Sequence, residues 1–96
     1  MLLFNGTAEC QRSNKWFKRG NRHEFYMFSK NKDLMSQLDQ IEQYFTERGL
    51  DHIEIVGTET LQDANEITND MLMYAYDEAS QKGLAGAIVR APMQAA

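Results

Sequence analysis

The sequence predicts an α+β domain: a two-layer sandwich in which a mixed sheet of four or five strands carries two helices on one face, in the order β-β-β-α-β-α-β. Three observations lead there. Leu34, Leu38, Ile41 and Phe45 recur at steps of four, three and four, the apolar stripe of an amphipathic helix. Short β-branched or aromatic runs flank that helix, around Arg22–Phe28, Asp51–Val56 and Leu84–Ala91. Gly20-Asn21, Gly49, Gly57 and Gly83 then punctuate the chain where each run changes character.

Taken in order, residues 2–9 read as an opening strand interrupted at Asn5-Gly6, a bulge or turn signal. Gln11 to Asn14 is polar and reads as a loop. Lys15–Arg19 and Arg22–Phe28 read as two strands joined by a tight turn at Gly20-Asn21. In the second of these, His23, Phe25 and Met27 share one face, and Glu24, Tyr26 and Phe28 the other. Both faces carry aromatics, so the period does not say which is buried; an exposed face would hold some of Trp16, Tyr26 and Phe28.

Ser29 to Asn31 offers helix N-caps, and Asp33 suits the positive end of a helix dipole. Met35 and Tyr44 widen the first helical stripe. Gly49 ends it in a left-handed position, with Leu50 packing back. A strand follows over Asp51–Val56. Asp63 and Glu66 have capping-box spacing, and Ile67, Met71, Tyr74 or Ala75, and Glu78 or Ala79 extend a second helix to Lys82, closed by Gly83. Leu84 to Ala91 is a small-residue apolar run that reads as a buried last strand ended by Pro92. Residues 93–96 are expected to fray. Helical crossovers permit parallel pairing and the hairpin demands antiparallel pairing, hence a mixed sheet.

Ninety-six residues with 43% apolar content fit one domain, residues 1–96, with one modest core. No apolar run approaches the ~20 residues of a membrane span, and Met1-Leu2-Leu3-Phe4 lacks a signal-peptide pattern. Cys10 is alone, so no internal disulfide forms, and a cytoplasmic protein is the expectation.

Charge is segregated along the chain. Residues 33–81 hold twelve of the fourteen carboxylates against a single base, Arg48, whereas residues 1–32 hold seven bases against Glu9 and Glu24. On the second helix Asp63, Glu66, Asp70 and Asp77 fall along one stripe with Met73 in the gap, and no Lys or Arg interrupts them before Lys82. A solvated helix face is the commoner meaning of such a row. The missing counter-charge favours a use: like charges at this density cost stability. Asp39, Glu42 and Glu47 supply a second row on the first helix. Met73 among carboxylates would make an apolar anchor for a protein partner.

A second candidate is the basic aromatic hairpin 15–28, in which Lys15, Trp16, Lys18, Arg19 and Arg22 could hold phosphates while aromatics stack on bases. Its bland counterpart is a core of aromatics with bases guarding an edge. A third arrangement pairs the basic and acidic regions between copies of the chain. Catalytic signals are weak. Asp51, His52 and Glu54 make a poor acid–base or metal set, His23 beside Glu24 is uninformative, and Cys10 has no activating context. There is no phosphate-binding glycine loop, nucleophile elbow or EF-hand spacing. The expectation is therefore no catalytic residue, no metal and no cofactor.

In size and character the chain resembles small phage or mobile-element inhibitors, including nucleic-acid-mimicking anti-CRISPR and anti-restriction proteins. The resemblance implies a non-catalytic protein that inhibits or regulates nucleic-acid-binding machinery through a basic groove on that partner. On this reading Glu66, Asp70, Met73 and Asp77, with Asp39, Glu42 and Glu47, are the contacts. Direct nucleic-acid binding through hairpin 15–28 and a homo-oligomeric structural role are the alternatives.

Overall fold

A computed structural model describes residues 1–93; Gln94, Ala95 and Ala96, expected to fray, lie outside the described residues. The strands are β1 (Leu2–Cys10), β2 (Arg22–Ser29), β3 (Leu50–Thr60) and β4 (Leu84–Ile88). Helix α1 (Leu38–Thr46) lies between β2 and β3, and α2 (Asp70–Lys82) between β3 and β4. The sheet runs β3-β1-β2-β4. Over the described residues it is an α+β sandwich with one four-stranded sheet and two α-helices.

The sheet is antiparallel throughout rather than mixed. Each helix connects strands that are not neighbours, so neither crossover creates a parallel pair. The strand expected over Lys15–Arg19 does not form. Residues 11–21 are instead a loop held by side chains that compete with strand pairing. Asn14 Oδ1 accepts from the amides of Trp16 and Phe17 at 2.9 and 3.0 Å, and Ser13 Oγ accepts from Arg19 N at 3.0 Å. Gly20, at φ 92°, turns the chain back so that its amide reaches Cys10 O.

The helices do not share a face. Pairing registers put Phe4, Phe25 and Met27 on one side of the sheet with Leu84 and Ile88, and Leu3 and Phe28 on the other with Ala85. Ile41 and Phe45 of α1 join the first set in the main core. There the Phe25 ring lies 4.6 Å from that of Phe45 and 6.3 Å from that of Phe4. Ala75 and Ala79 of α2 join the second set, where Phe28 is buried against Tyr76. Small side chains on α2 and β4 let the helix approach the sheet closely. Thus Phe28, a candidate for exposure, is core because both faces of β2 are covered at that end.

The helix starts also shift. Ser29 and Asn31 do not cap α1. Ser29 Oγ donates to the buried Gln37 Oε1 at 2.6 Å, and Gln37 Nε2 returns to the Asn31 and Asp33 carbonyls at 2.8 and 3.0 Å. This polar plug sets a 3₁₀ turn over Met35–Gln37 before α1 begins. The Asp63–Glu66 capping box is present, but it closes a separate 3₁₀ turn over Ala64–Glu66. Ile67 and Asn69 are extended, and Asn69 Oδ1 caps α2 by accepting from Leu72 N at 3.2 Å. Gly83 caps α2 at positive φ as the sequence suggests, whereas α1 is capped by Glu47 and Gly49, also at positive φ, closes the turn that follows it.

At Asn5-Gly6 the β1–β3 register slips, matching the bulge signal. A Cβ on Gly6 would overlap the Glu54 carbonyl, so the close strand approach requires glycine. A second slip lies opposite Ala8, where His52 adopts φ 50°.

Candidate functional site

Three separated segments assemble one cleft of about 610 Å³ on the α1 side of the sheet. The 11–21 loop gives Arg12, Ser13, Asn14, Trp16 and Phe17; the end of α1 gives Tyr44, Glu47 and Arg48; β4 gives Gly86 and Ile88. Its size suits a small ligand or a short stretch of chain.

Aromatic rings and cations make its walls. Trp16, the single tryptophan, is 51% exposed. Asn14 shapes the turn that presents it, and the neighbouring Phe17 is driven into the core. The Arg90 guanidinium sits 5.1 Å from the Trp16 ring centroid and Lys15 Nζ 5.7 Å from it. Across the cleft Arg48 stacks on Tyr44, its guanidinium carbon 3.5 Å from the ring centroid, while its Nη1 donates to Tyr44 O at 2.8 Å. This i, i+4 pair is a product of helical spacing. The Tyr44 hydroxyl donates to Gly86 O at 3.3 Å. Burial pushes its phenol above the usual value; the Arg48 charge pulls it back in part, and the Glu78 charge adds to the rise.

The expected basic set divides. Trp16 lines the cleft with Lys15 beside its ring, and Lys18 and Arg19 are exposed on the same loop. Arg22 does not join them. It projects to the other side of the sheet, where its guanidinium bonds Thr7 Oγ1 and His52 O at 2.8 Å and lies 3.7 and 3.6 Å from Glu9 and Glu24's cross-sheet counterpart Glu54. Arg12, Tyr44, Arg48 and Arg90 were not among the sequence candidates. The Tyr44–Arg48 spacing was the one available signal for them.

The acidic rows do not form one surface. Asp39, Glu42 and Glu47 ride on α1 and Asp70 and Asp77 on α2, on opposite sides of the sheet. The α2 stripe is itself interrupted by the extended residues 67–69. Glu66 is occupied as a cap, its Oε2 accepting from Gln62 N at 2.8 Å and Asp63 N at 3.2 Å. Glu47 Oε1 accepts from Gln43 Nε2 at 3.2 Å, and Glu78 pairs with Lys82 at 3.8 Å. Met73 is half-buried rather than exposed; the outward residues of α2 are Asp70, Met71, Tyr74, Asp77, Gln81 and Lys82, with Tyr74 75% exposed.

Carboxylates gather instead on the half of the sheet that α2 leaves open. Register brings Glu9 beside Arg22 and Asp51, and Thr7 between Glu24 and Glu54, with Glu59 beyond. Val56 is 74% exposed among them. Neighbouring strands stand about 4.8 Å apart, so this is a two-dimensional field rather than a helical row. Glu9 and Glu24 lie in the basic third of the sequence, so a count along the chain hides them.

Asp51, His52 and Glu54 do not converge as a catalytic set: Glu54 faces Arg22, and the backbone of His52 serves the bulge. Among the described residues no group of three or more His, Cys, Asp or Glu could hold a metal ion, and no helix is long and apolar enough to cross a membrane. No family model matches the chain, and neither a curated protein nor a solved structure matches it.

Proposed function

We propose that the protein is a non-catalytic binding module that takes single-stranded nucleic acid at the cleft between the 11–21 loop, α1 and β4. One observation carries this reading: a half-exposed tryptophan at the rim of a cleft, with Arg90 and Lys15 over its ring and Arg48 stacked on Tyr44 opposite. A base can stack on Trp16 while its flanking phosphates meet Lys15, Arg90, Arg12 and Arg48. Each base–aromatic stack contributes about 1–3 kcal/mol without regard to sequence. Three or four phosphate contacts give a slope of roughly −2 to −3 in log K against log salt. The overall charge of −4 keeps affinity modest and places the attraction in a local patch.

Trp16 makes the test direct. Oligothymidylate and oligouridylate should quench its fluorescence at low salt. Trp16→Ala should weaken binding at least tenfold, about 1.4 kcal/mol, as followed by anisotropy of a labelled oligomer, with an unchanged melting temperature. Absence of quenching and of binding at low salt sinks the reading.

A second reading keeps a protein partner. Its support is the open half-face, where Glu9, Glu24, Asp51, Glu54 and Glu59 surround one engaged arginine. There the chain would meet a basic groove on nucleic-acid-binding machinery, as an inhibitor or nucleic-acid mimic of the phage or mobile-element kind, with Asp70, Tyr74 and Asp77 as an adjoining edge. Affinity should then fall with salt and with the pair Glu24→Lys and Glu54→Lys. A third arrangement, the basic loop of one copy against the acidic face of another, requires an oligomer that dissociates at high salt in sedimentation. Each of these readings assigns the protein to the cytoplasm.

A further inference from the structure

One imidazole ties together the two walls of the cleft. His23 is 1% exposed. Its Nδ1 lies 2.8 Å from Val89 O, and because a carbonyl only accepts, Nδ1 carries the proton. Its Nε2 is buried with no partner. The ring packs edge-on against Phe17, with centroids 4.7 Å apart. Phe17 is the residue after Trp16, and Val89 the residue before Arg90. The same ring therefore holds the loop that presents the stacking surface and the segment that presents a cation over it.

As the ring stands, nothing accepts a hydrogen bond from Nε2. On β1 the ring faces Ala8, with Cys10 further along, whose thiol donates to Arg12 O at 3.1 Å. Glu9, Arg22 and Glu24, the charged residues nearest in register, point to the other side of the sheet. The charged residues of the loop and the following segment are Arg12, Lys15, Lys18, Arg19 and Arg90, all cations. At the end of α1, Glu47 is engaged by Gln43 and stands 4.0 Å from Arg48, and Tyr44 is bonded to Gly86.

We propose that His23 is the positioning residue of the cleft and that protonation of its ring opens the site. The added proton must sit on Nε2, inside an enclosure without an acceptor. A charge buried that way is costly, and displacing Phe17 relieves the cost by letting water reach Nε2. Phe17 takes Trp16 with it, and binding switches off when the ring takes up its second proton. The nature of the ligand rests on the nucleic-acid reading above; the opening itself does not.

The experiment separates the two. The emission of Trp16 is followed without ligand from about pH 8 to about pH 5, in parallel with anisotropy of labelled oligothymidylate. His52→Gln leaves one histidine, whose ring titration is read by NMR. The expected result is a shift in Trp16 emission whose midpoint coincides with the His23 titration, and a loss of oligothymidylate affinity of about tenfold or more across it. His23→Gln, whose amide can still donate to Val89 O, should show neither change. A ring that titrates while Trp16 emission stays constant overturns the proposal, as does the same acid transition in His23→Gln. If His23→Gln does not fold, the coincidence test in His52→Gln decides alone. An emission switch at His23 with no oligothymidylate binding at any pH upholds the opening and removes the nucleic-acid reading.

Discussion

The two faces of the sheet are built by different rules. On one, α1 and the 11–21 loop close over Phe4, Phe25, Met27, Ile41 and Phe45, and the cleft lies at the rim of that core. On the other, α2 covers Phe28 and Ala85 through its alanines, and the remaining half is left to Thr7, Glu9, Arg22, Glu24 and Glu54. Cations collect around the cleft on the first face, although Asp39, Glu42 and Glu47 ride on α1 there too, and carboxylates collect on the open half of the second. Polarity that reads along the chain as a basic third and an acidic middle becomes, in space, a basic cleft rim on one side of the sheet and an acidic half-face on the other. Glu9 and Glu24 cross to the acidic side because alternation along a strand decides facing, whatever the charge of the neighbours.

Substitutions can break or sharpen this contrast. The largest effect belongs to the closed face. Phe25→Ala removes a ring that touches both Phe4 and Phe45 and should cost about 3–5 kcal/mol in urea unfolding, whereas Val56→Ala on the open half should stay within about 0.5 kcal/mol. Equal losses would mean that the open half is packed. Next comes Glu66→Ala, which frees two backbone donors in the turn before α2 and should cost about 1 kcal/mol in the same assay; no loss would return Glu66 to the pool of available charges.

Smaller again is the alkaline behaviour of Tyr44. Its folded phenol holds the proton above the unfolded value of 10.0, mainly through burial. The stability this contributes is complete below that pH and declines as pH rises through the higher folded value. Tyr44→Phe should flatten that part of the decline in melting temperature. The smallest effect tests whether the faces act independently. Glu24→Lys with Glu54→Lys should change oligothymidylate affinity by less than about twofold at physiological salt, where screening acts over about 8 Å. A larger change would join both faces into one field.

Local signals were legible and assembled ones were not. The Leu38–Ile41–Phe45 period, Gly49, Gly83 and the Asp63–Glu66 box each depend on neighbours in sequence, and each appears. The Lys15–Arg19 strand failed because the side chains of Ser13 and Asn14 take the amides a strand would have used. The shared helix face failed because β2 is aromatic on both sides, so its period has no preferred direction. The acidic stripe failed at Ile67–Asn69, where an Asn cap restarts the helix and resets its phase. The cleft was hidden because Trp16, Arg48 and Arg90 lie in three distant segments, and only the antiparallel β2–β4 pairing brings the last beside the loop.

One of the two inner strands of the sheet, β1, also precedes the other three along the chain. β2 joins one of its sides, β3 later takes the other, and β4 adds last beyond β2. Assembly can thus spread outward from the first strand, each newcomer docking on an existing border without displacing anything already paired. Such an order starts from the β1–β2 pair, the one nearest in sequence, a local contact of the kind that favours rapid folding, and it leaves the cleft to be completed by β4, after the other three strands.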